Sequence, residues 1–300
     1  MTIRPVHAAP SLDTIARPSG ALAMVAMDQR ESLRTMFDTA GAGRPADDVL
    51  VRFKLDVAEA LGPLASGFLI DRHFGFDRVR GSIPESTGLI LAVDALTQPD
   101  GGPVEETALD DAVFDPRFDL GGVAAVKLLI IWRRDELREQ RVRLAADFIA
   151  RAGERGLLSV LEPIVWATRA ELDDSSWNAD AAIREAAREL SILGPSLYKV
   201  QVPLAGAGTT AEQAAASVEL ARSICGPWVV LSQGVAREGF LSAVAAACRA
   251  GASGFLAGRA LWSDIVGSAH VPAALQDLAV PRLRALVETV DREARPWGQA

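Results

Sequence analysis

A closed (β/α)8 barrel is the fold this sequence predicts, and three observations predict it. Eight short apolar runs alternate with segments of helical periodicity, the pattern of parallel strands joined by helical crossovers. The chain has 300 residues, 49% of them apolar, which suffices for one large core at a length that α/β barrels commonly reach as a single domain. The competing fold, a doubly wound open sheet, would carry a glycine-rich turn after its first strand, and Asp28-Gln29-Arg30 is no such turn.

Residues 1–20, with Pro5, Pro10 and Pro18, read as an N-terminal extension of a domain that otherwise spans 1–300. A helical turn from Ser11 to Ala16, with Ser11 as its N-cap, is expected to sit against the body. Ala21–Met27 is the first strand, followed by an amphipathic helix from Asp47 to Leu61 whose Leu50, Phe53, Val57 and Leu61 share one face. Lys54 lies on this helix and reads as a solvated lysine. The second strand is Leu64–Ile70, ending in Asp71-Arg72-His73, and the third is Leu89–Leu96. A connection over 97–124, rich in Pro, Gly and Asp, reads as a long loop, a length that usually marks function or poor order.

Val126–Trp132 is the fourth strand, with a helix over 135–152 behind it. The fifth, Leu157–Val165, carries Glu162 in an otherwise apolar run. A helix over 179–193 leads to the sixth strand, Leu197–Pro203. An alanine-rich helix over 210–224 precedes the seventh, Trp228–Leu231, which ends in Ser232-Gln233-Gly234. A helix over 238–250 precedes the eighth, Gly254–Arg259, and helical material follows to about Arg292.

Composition narrows the function. A net charge of −8 argues against a nucleic-acid or anionic-membrane partner. Met1–Pro10 holds no apolar signal segment and no run reaches the ~20 residues of a membrane span, so a cytoplasmic protein is expected. Cys225 and Cys248, in helical surroundings, fit neither a zinc spacing nor a disulfide framework and read as small buried hydrophobes. His7, His73 and His270 are too scattered to suggest a metal cluster, and nothing in the sequence asks for a metal or another cofactor.

Lysine usage carries the chemistry. Only Lys54, Lys127 and Lys199 are lysine among 31 basic residues, and two of them lie inside apolar strands. An unpaired ammonium there costs several kcal/mol. Arginine cannot give up its proton, whereas a desolvated lysine can become a neutral nucleophile and form a Schiff base. Lys127, Glu162 and Lys199 fall in adjacent strands and meet inside the barrel if all three point inward. Lys199 is the expected nucleophile, its pKa lowered by burial and by the charge of Lys127. Glu162 can shuttle protons, and Asp28 can orient Lys127 or handle a substrate hydroxyl proton. Two inward lysines facing one glutamate would leave a charge unmatched.

Barrel active sites lie at the C-terminal ends of the strands, where Asp28, Gln29, Arg30, Asp71, Arg72, Arg133, Ser232, Gly234, Gly258 and Arg259 fall. Ser232-Gln233-Gly234 and Gly258-Arg259 put small residues and backbone N–H groups where barrels commonly bind phosphate, and Arg259 adds a bidentate donor.

These residues carry a resemblance. Ala23-Met24-Val25-Ala26-Met27-Asp28-Gln29-Arg30-Glu31, Lys127-Leu128-Leu129 with Trp132-Arg133, and Leu161-Glu162-Pro163 resemble the DeoC/LacD class of Schiff-base aldolases. So do Leu197-Tyr198-Lys199-Val200, Leu231-Ser232-Gln233-Gly234-Val235 and the run from Gly251 to Arg259. Within that class the sequence is most similar to the sulfofructose-phosphate aldolases of bacterial sulfoquinovose breakdown, with tagatose-bisphosphate aldolases more distant.

The resemblance implies a homo-oligomeric enzyme, a dimer or tetramer. It implies cleavage of the ketose phosphate 6-deoxy-6-sulfofructose 1-phosphate to dihydroxyacetone phosphate and sulfolactaldehyde. It places the Schiff base on Lys199, supporting roles on Asp28, Gln29, Lys127 and Glu162, and the phosphate on Ser232, Gly234, Gly258 and Arg259. Gln201 stands where the family usually has Glu, and Gln233 where it often has a small residue. Arg30, Arg72, His73 and Arg133 are candidates for the anion on the aldehyde side. The alternatives are an aldolase acting on tagatose 1,6-bisphosphate or a related ketose phosphate, and a non-catalytic sugar-phosphate sensor.

Overall fold

The computed structural model describes residues 10–99 and 102–299, so Pro5 and His7 of the expected extension lie outside the described residues. Eight parallel strands close on themselves: β1 (Leu22–Met27), β2 (Gly67–Asp71), β3 (Gly88–Ala92), β6 (Val123–Trp132), β7 (Leu158–Val165), β8 (Leu197–Gln201), β9 (Trp228–Leu231) and β10 (Gly254–Ala257). Around the barrel the order is β1-β10-β9-β8-β7-β6-β3-β2. Each apolar run of the sequence supplies one of these strands, with shifted ends: β6 begins at Val123, before the expected Val126, whereas β8 stops at Gln201, short of Pro203. Two further strands, β4 (Asp94–Thr97) and β5 (Glu106–Leu109), pair antiparallel as a hairpin outside the barrel.

The crossovers include α1 (Glu31–Thr39), α2 (Asp47–Leu61), the single turns α3 (Phe76–Val79) and α4 (Asp111–Phe114), α5 (Arg138–Glu154), α6 (Arg169–Asp173), α7 (Ala179–Leu190), α8 (Thr210–Ala221) and α9 (Arg237–Arg249). After β10 come α10 (Arg259–Trp262), α11 (Val271–Ala274) and α12 (Val280–Glu293). Helix α8 starts with a reciprocal cap in which Thr209 accepts from the Glu212 N–H and Glu212 accepts from the Thr209 N–H.

Strand alternation divides the core. Outward residues such as Phe68, Leu128, Leu161, Tyr198 and Phe255 pack under the helices. Inward residues Leu22, Met24, Leu69, Ile90, Ala125, Leu158, Leu197, Val229 and Leu256 fill the lower barrel. The turn over Leu12–Ile15, capped by Ser11, inserts Leu12 and Ile15 into this inner cluster and closes the floor. Strand β3 fits only because Gly88 is glycine, since a Cβ there would lie 2.2 Å from the Thr14 carbonyl oxygen.

Four expectations need correction. The third apolar run breaks at Val93: its first half is β3, and Asp94–Thr97 turns out into the hairpin because the Asp94 carboxylate is held by cations of the barrel mouth. The connection over 97–124 therefore holds β5 and α4, the latter capped by Asp110. Cys225 is exposed, in the turn after α8, and only Cys248 is a buried thiol, its pKa pushed up to about 12 by burial.

The fourth correction is Lys54, which is fully buried, not solvated. It forms an ion pair with Asp71 and donates to the carbonyl oxygens of Met27 at 2.9 Å and Gln29 at 2.6 Å. An ammonium held by three oxygens is stable where an unpaired one would not be.

Candidate active site

Above the apolar floor the inward positions turn polar. Lys127 on β6, Glu162 on β7 and Lys199 on β8 all face the barrel axis, because each is an even number of residues from an inward apolar neighbour: Ala125, Val160 and Leu197. A second apolar ring, Ile131, Ile164 and Leu231, stands above them with Val104 of the hairpin loop packed against it. The charged layer is thus confined between two apolar layers, and it opens upward into a cavity of about 300 Å³.

Lys127 is the centre of that layer. Its Nζ lies 2.5 Å from Asp28, 2.9 Å from Asp94 and 3.3 Å from Glu162. Burial alone would lower its pKa, but the three carboxylates outweigh burial and hold it well above the ordinary lysine value. Burial likewise pushes Asp28 up, and the charges of Lys127 and Lys199 overcome it, leaving the carboxyl well below its usual range. Lys199 has a different environment: Nζ has one carboxylate partner, Glu162, at 2.7 Å. Three carboxylates, not one, therefore face the two lysines, and the unmatched charge expected from the sequence is compensated.

Of the cavity's cations among the described residues, Arg259 stands without a partner. It begins α10, lines the cavity, and makes no hydrogen bond or ion pair among the described residues. Burial holds its pKa below the ordinary arginine value. Ser232, Gln233 and Gly258 line the same wall. Gly258 must lack a side chain, since a Cβ would meet the Ala26 carbonyl oxygen at 2.5 Å. Gly234 is not among the lining residues; at φ +81° it shapes the turn behind Ser232.

Gln29 lines the cavity, and its Oε1 is buried without a hydrogen-bond partner among the described residues. Gln201 is turned aside, its Oε1 accepting from the Val165 N–H at 2.8 Å.

Of the four candidates for the aldehyde-side anion, only Arg30 reaches the cavity. Arg72 is bound to Asp110 at 2.7 Å and Arg133 to Glu106 at 2.6 Å, and neither they nor His73 line it.

Sequence reasoning missed Asp94, whose carboxylate joins Lys127 and Arg30. The signal was present, a lone carboxylate in the apolar run 89–96, and it is the same signal that singles out Glu162. A buried lysine–carboxylate cluster at the mouth of a barrel, with an unpaired arginine beside it, is suited to carbonyl chemistry on an anionic substrate.

The family model described as DeoC/LacD family aldolase matches residues 22–264, which include every member of this cluster. The chain belongs to the DeoC/LacD family of aldolases. This DeoC/LacD aldolase is therefore an aldehyde-lyase. It is similar to the tagatose 1,6-diphosphate aldolase of Listeria monocytogenes serotype 4a (strain HCC23), 26% identical over 317 residues that cover 95% of this chain and 92% of the relative. It is also similar to tagatose 1,6-diphosphate aldolase 2 of Enterococcus faecalis, 27% identical and covering 85% and 82%. A solved structure of fructose-bisphosphate aldolase from Plasmodium falciparum shares the fold at a TM-score of 0.65 with 16% identity, covering 94% of this chain and 95% of that one. Among the described residues of the DeoC/LacD aldolase, no helix is long and apolar enough to cross a membrane.

Proposed function

We propose that this aldolase cleaves 6-deoxy-6-sulfofructose 1-phosphate to dihydroxyacetone phosphate and sulfolactaldehyde through a Schiff base on Lys199. The observation that carries the proposal is the contrast between the two buried lysines. Lys127 is fixed by three carboxylates, whereas Lys199 shares a single one that can take its proton.

Lys199 gives a proton to Glu162, and its free amine adds to the C2 carbonyl. Glu162 returns the proton to the carbinolamine hydroxyl, which leaves as water and gives an iminium. The substrate C4 hydroxyl then loses its proton to Glu162 or Asp28. The C3–C4 bond breaks, its electron pair moves into the iminium to form an enamine, and the aldehyde departs. Protonation at C3 and hydrolysis free dihydroxyacetone phosphate and restore the amine. Lys127 keeps its charge throughout and stabilises the oxygen on which negative charge develops. Arg259, with Ser232 and Gly258, takes the C1 phosphate.

The preference for a sulfonate is supported by the cations of the cavity. Beyond the two lysines and Arg259, Arg30 is the only cation lining it among the described residues, and Arg30 is bound to Asp94. A tail with one charge suits that site better than a phosphate carrying nearly two. The similarity to tagatose 1,6-diphosphate aldolases favours a bisphosphate as the second reading. We also read the enzyme as a cytoplasmic homo-oligomer, which sedimentation of the purified protein would test.

Borohydride reduction with dihydroxyacetone phosphate should add the reduced adduct to the Lys199 peptide, and an unmodified Lys199 would refute the Schiff base. Comparing kcat/KM for the sulfonated ketose phosphate with those for tagatose and fructose 1,6-bisphosphate decides the substrate. A clear preference for a bisphosphate would replace the sulfonate reading with the second one.

A further inference from the structure

The cavity has two sides of unequal charge. In the closed order of the barrel, β9 stands four strands from β3 and β10 four strands from β6 in either direction. Ser232 and Arg259, which follow β9 and β10, therefore lie across the mouth from Asp94, which follows β3 beside β6. On the first side Arg259 meets no carboxylate among the described residues at bonding distance. On the second side Arg30 reaches to Asp94, donating to its carboxylate and, at 2.8 Å, to its carbonyl oxygen.

Asp94 divides its charge. Its Oδ1 takes Lys127 at 2.9 Å and its Oδ2 takes Arg30, and the side chain is almost completely buried. Glu31, next to Arg30 in the chain, also lines the cavity and pairs with Arg44 at 2.5 Å. Arg30 retains N–H groups beyond those given to Asp94, since a guanidinium has five. A monoanion can accept from these while Arg30 stays on Asp94. A dianion brings its second charge against the Asp94 and Glu31 carboxylates in a partly desolvated site, where like charges repel more strongly than in water.

We infer that Asp94 is a specificity-determining residue that restricts the aldehyde-side tail to a single negative charge. The inference rests on the reading that the substrate spans the cavity with its C1 phosphate at Arg259. It extends that reading by naming what excludes a second phosphate.

The experiment measures one ratio, kcat/KM for fructose or tagatose 1,6-bisphosphate divided by kcat/KM for 6-deoxy-6-sulfofructose 1-phosphate. A general loss of activity from disturbing Lys127 affects numerator and denominator alike and leaves the ratio where it was. Asp94→Asn should raise the ratio about tenfold, the change that one compensated charge at this range gives. Glu31→Gln, which does not touch Lys127, should move it the same way by a smaller factor. An unchanged or lowered ratio in a folded Asp94→Asn enzyme overturns the inference. If that variant does not fold, an unchanged ratio in Glu31→Gln overturns it. Failure to trap an adduct at Lys199 in the native enzyme would instead overturn the reading of function, and the inference with it.

Discussion

Lys54 shows how far a single side chain can be misjudged from sequence and why. The helix over 47–61 was legible from Leu50, Phe53, Val57 and Leu61, and it forms over those bounds. Lys54 lies four residues after Leu50 and three before Val57, on the same stripe, so its position marked it for burial while its chemistry suggested water. Its partners, Asp71 and two carbonyl oxygens from other elements, depend on the fold and could not be read along the chain. Those carbonyls belong to Met27 and Gln29, the two residues that flank Asp28. Lys54→Met leaves the Asp71 carboxylate buried without its partner. The expected cost is about 3–5 kcal/mol in urea unfolding, together with a lower kcat as Asp28 loses its fixed backbone. At the site itself, Glu162→Gln removes the carboxylate paired with Lys199. It should lower kcat by about 10²–10⁴-fold while the folded structure persists, measured by steady-state cleavage and circular dichroism.

At the scale of elements, the barrel strands were visible because buried parallel strands are continuous apolar runs, and inward charges such as Lys127, Glu162 and Lys199 stand out against them. Helix α1 was not visible: among its nine residues only Leu33 and Phe37 are buried, too few for a stripe. The β4–β5 hairpin was hidden for a related reason. Its strands have four residues each and are largely half-exposed, and what holds them is charge, not apolar burial. Glu106 on β5 binds Arg133 at 2.6 Å and Arg141 of α5 at 2.5 Å, and Arg141 also binds Asp135 at 2.6 Å. Since the hairpin carries Asp94 and its loop brings Val104 to the cavity, this anchor fixes part of the mouth. Glu106→Gln should cost about 2 kcal/mol of local stability. Amide hydrogen exchange across 94–109 should rise while exchange in β6 and β7 stays slow.

Over the whole molecule the charged layer ties stability to pH. The carboxyl of Asp28 is held below its unfolded value, so it contributes stability above about pH 4 that is lost as pH falls. Lys127 is held above its unfolded value, so its contribution is present below about pH 10 and disappears only in strong alkali. The gap in unfolding free energy between the native enzyme and Asp28→Asn should therefore be widest near neutrality and narrow as pH drops below about 4, in urea titrations repeated across pH. The other global support is the plug beneath the barrel. Ile15 is fully buried against β3, and Trp297 near the C-terminus donates to Asp13 at 3.1 Å. Ile15→Ala should cost about 2–5 kcal/mol, read as a lower urea midpoint.

That plug also dictates traffic. With the underside sealed by Leu12 and Ile15, whatever reaches Lys199 arrives from above and must go back the same way. In the proposed Schiff-base reaction, the fragment bonded to Lys199 stays until water reaches it, while the departing aldehyde occupies the way in. Under that proposal, one doorway sets the sequence of exits, aldehyde first and triose phosphate second.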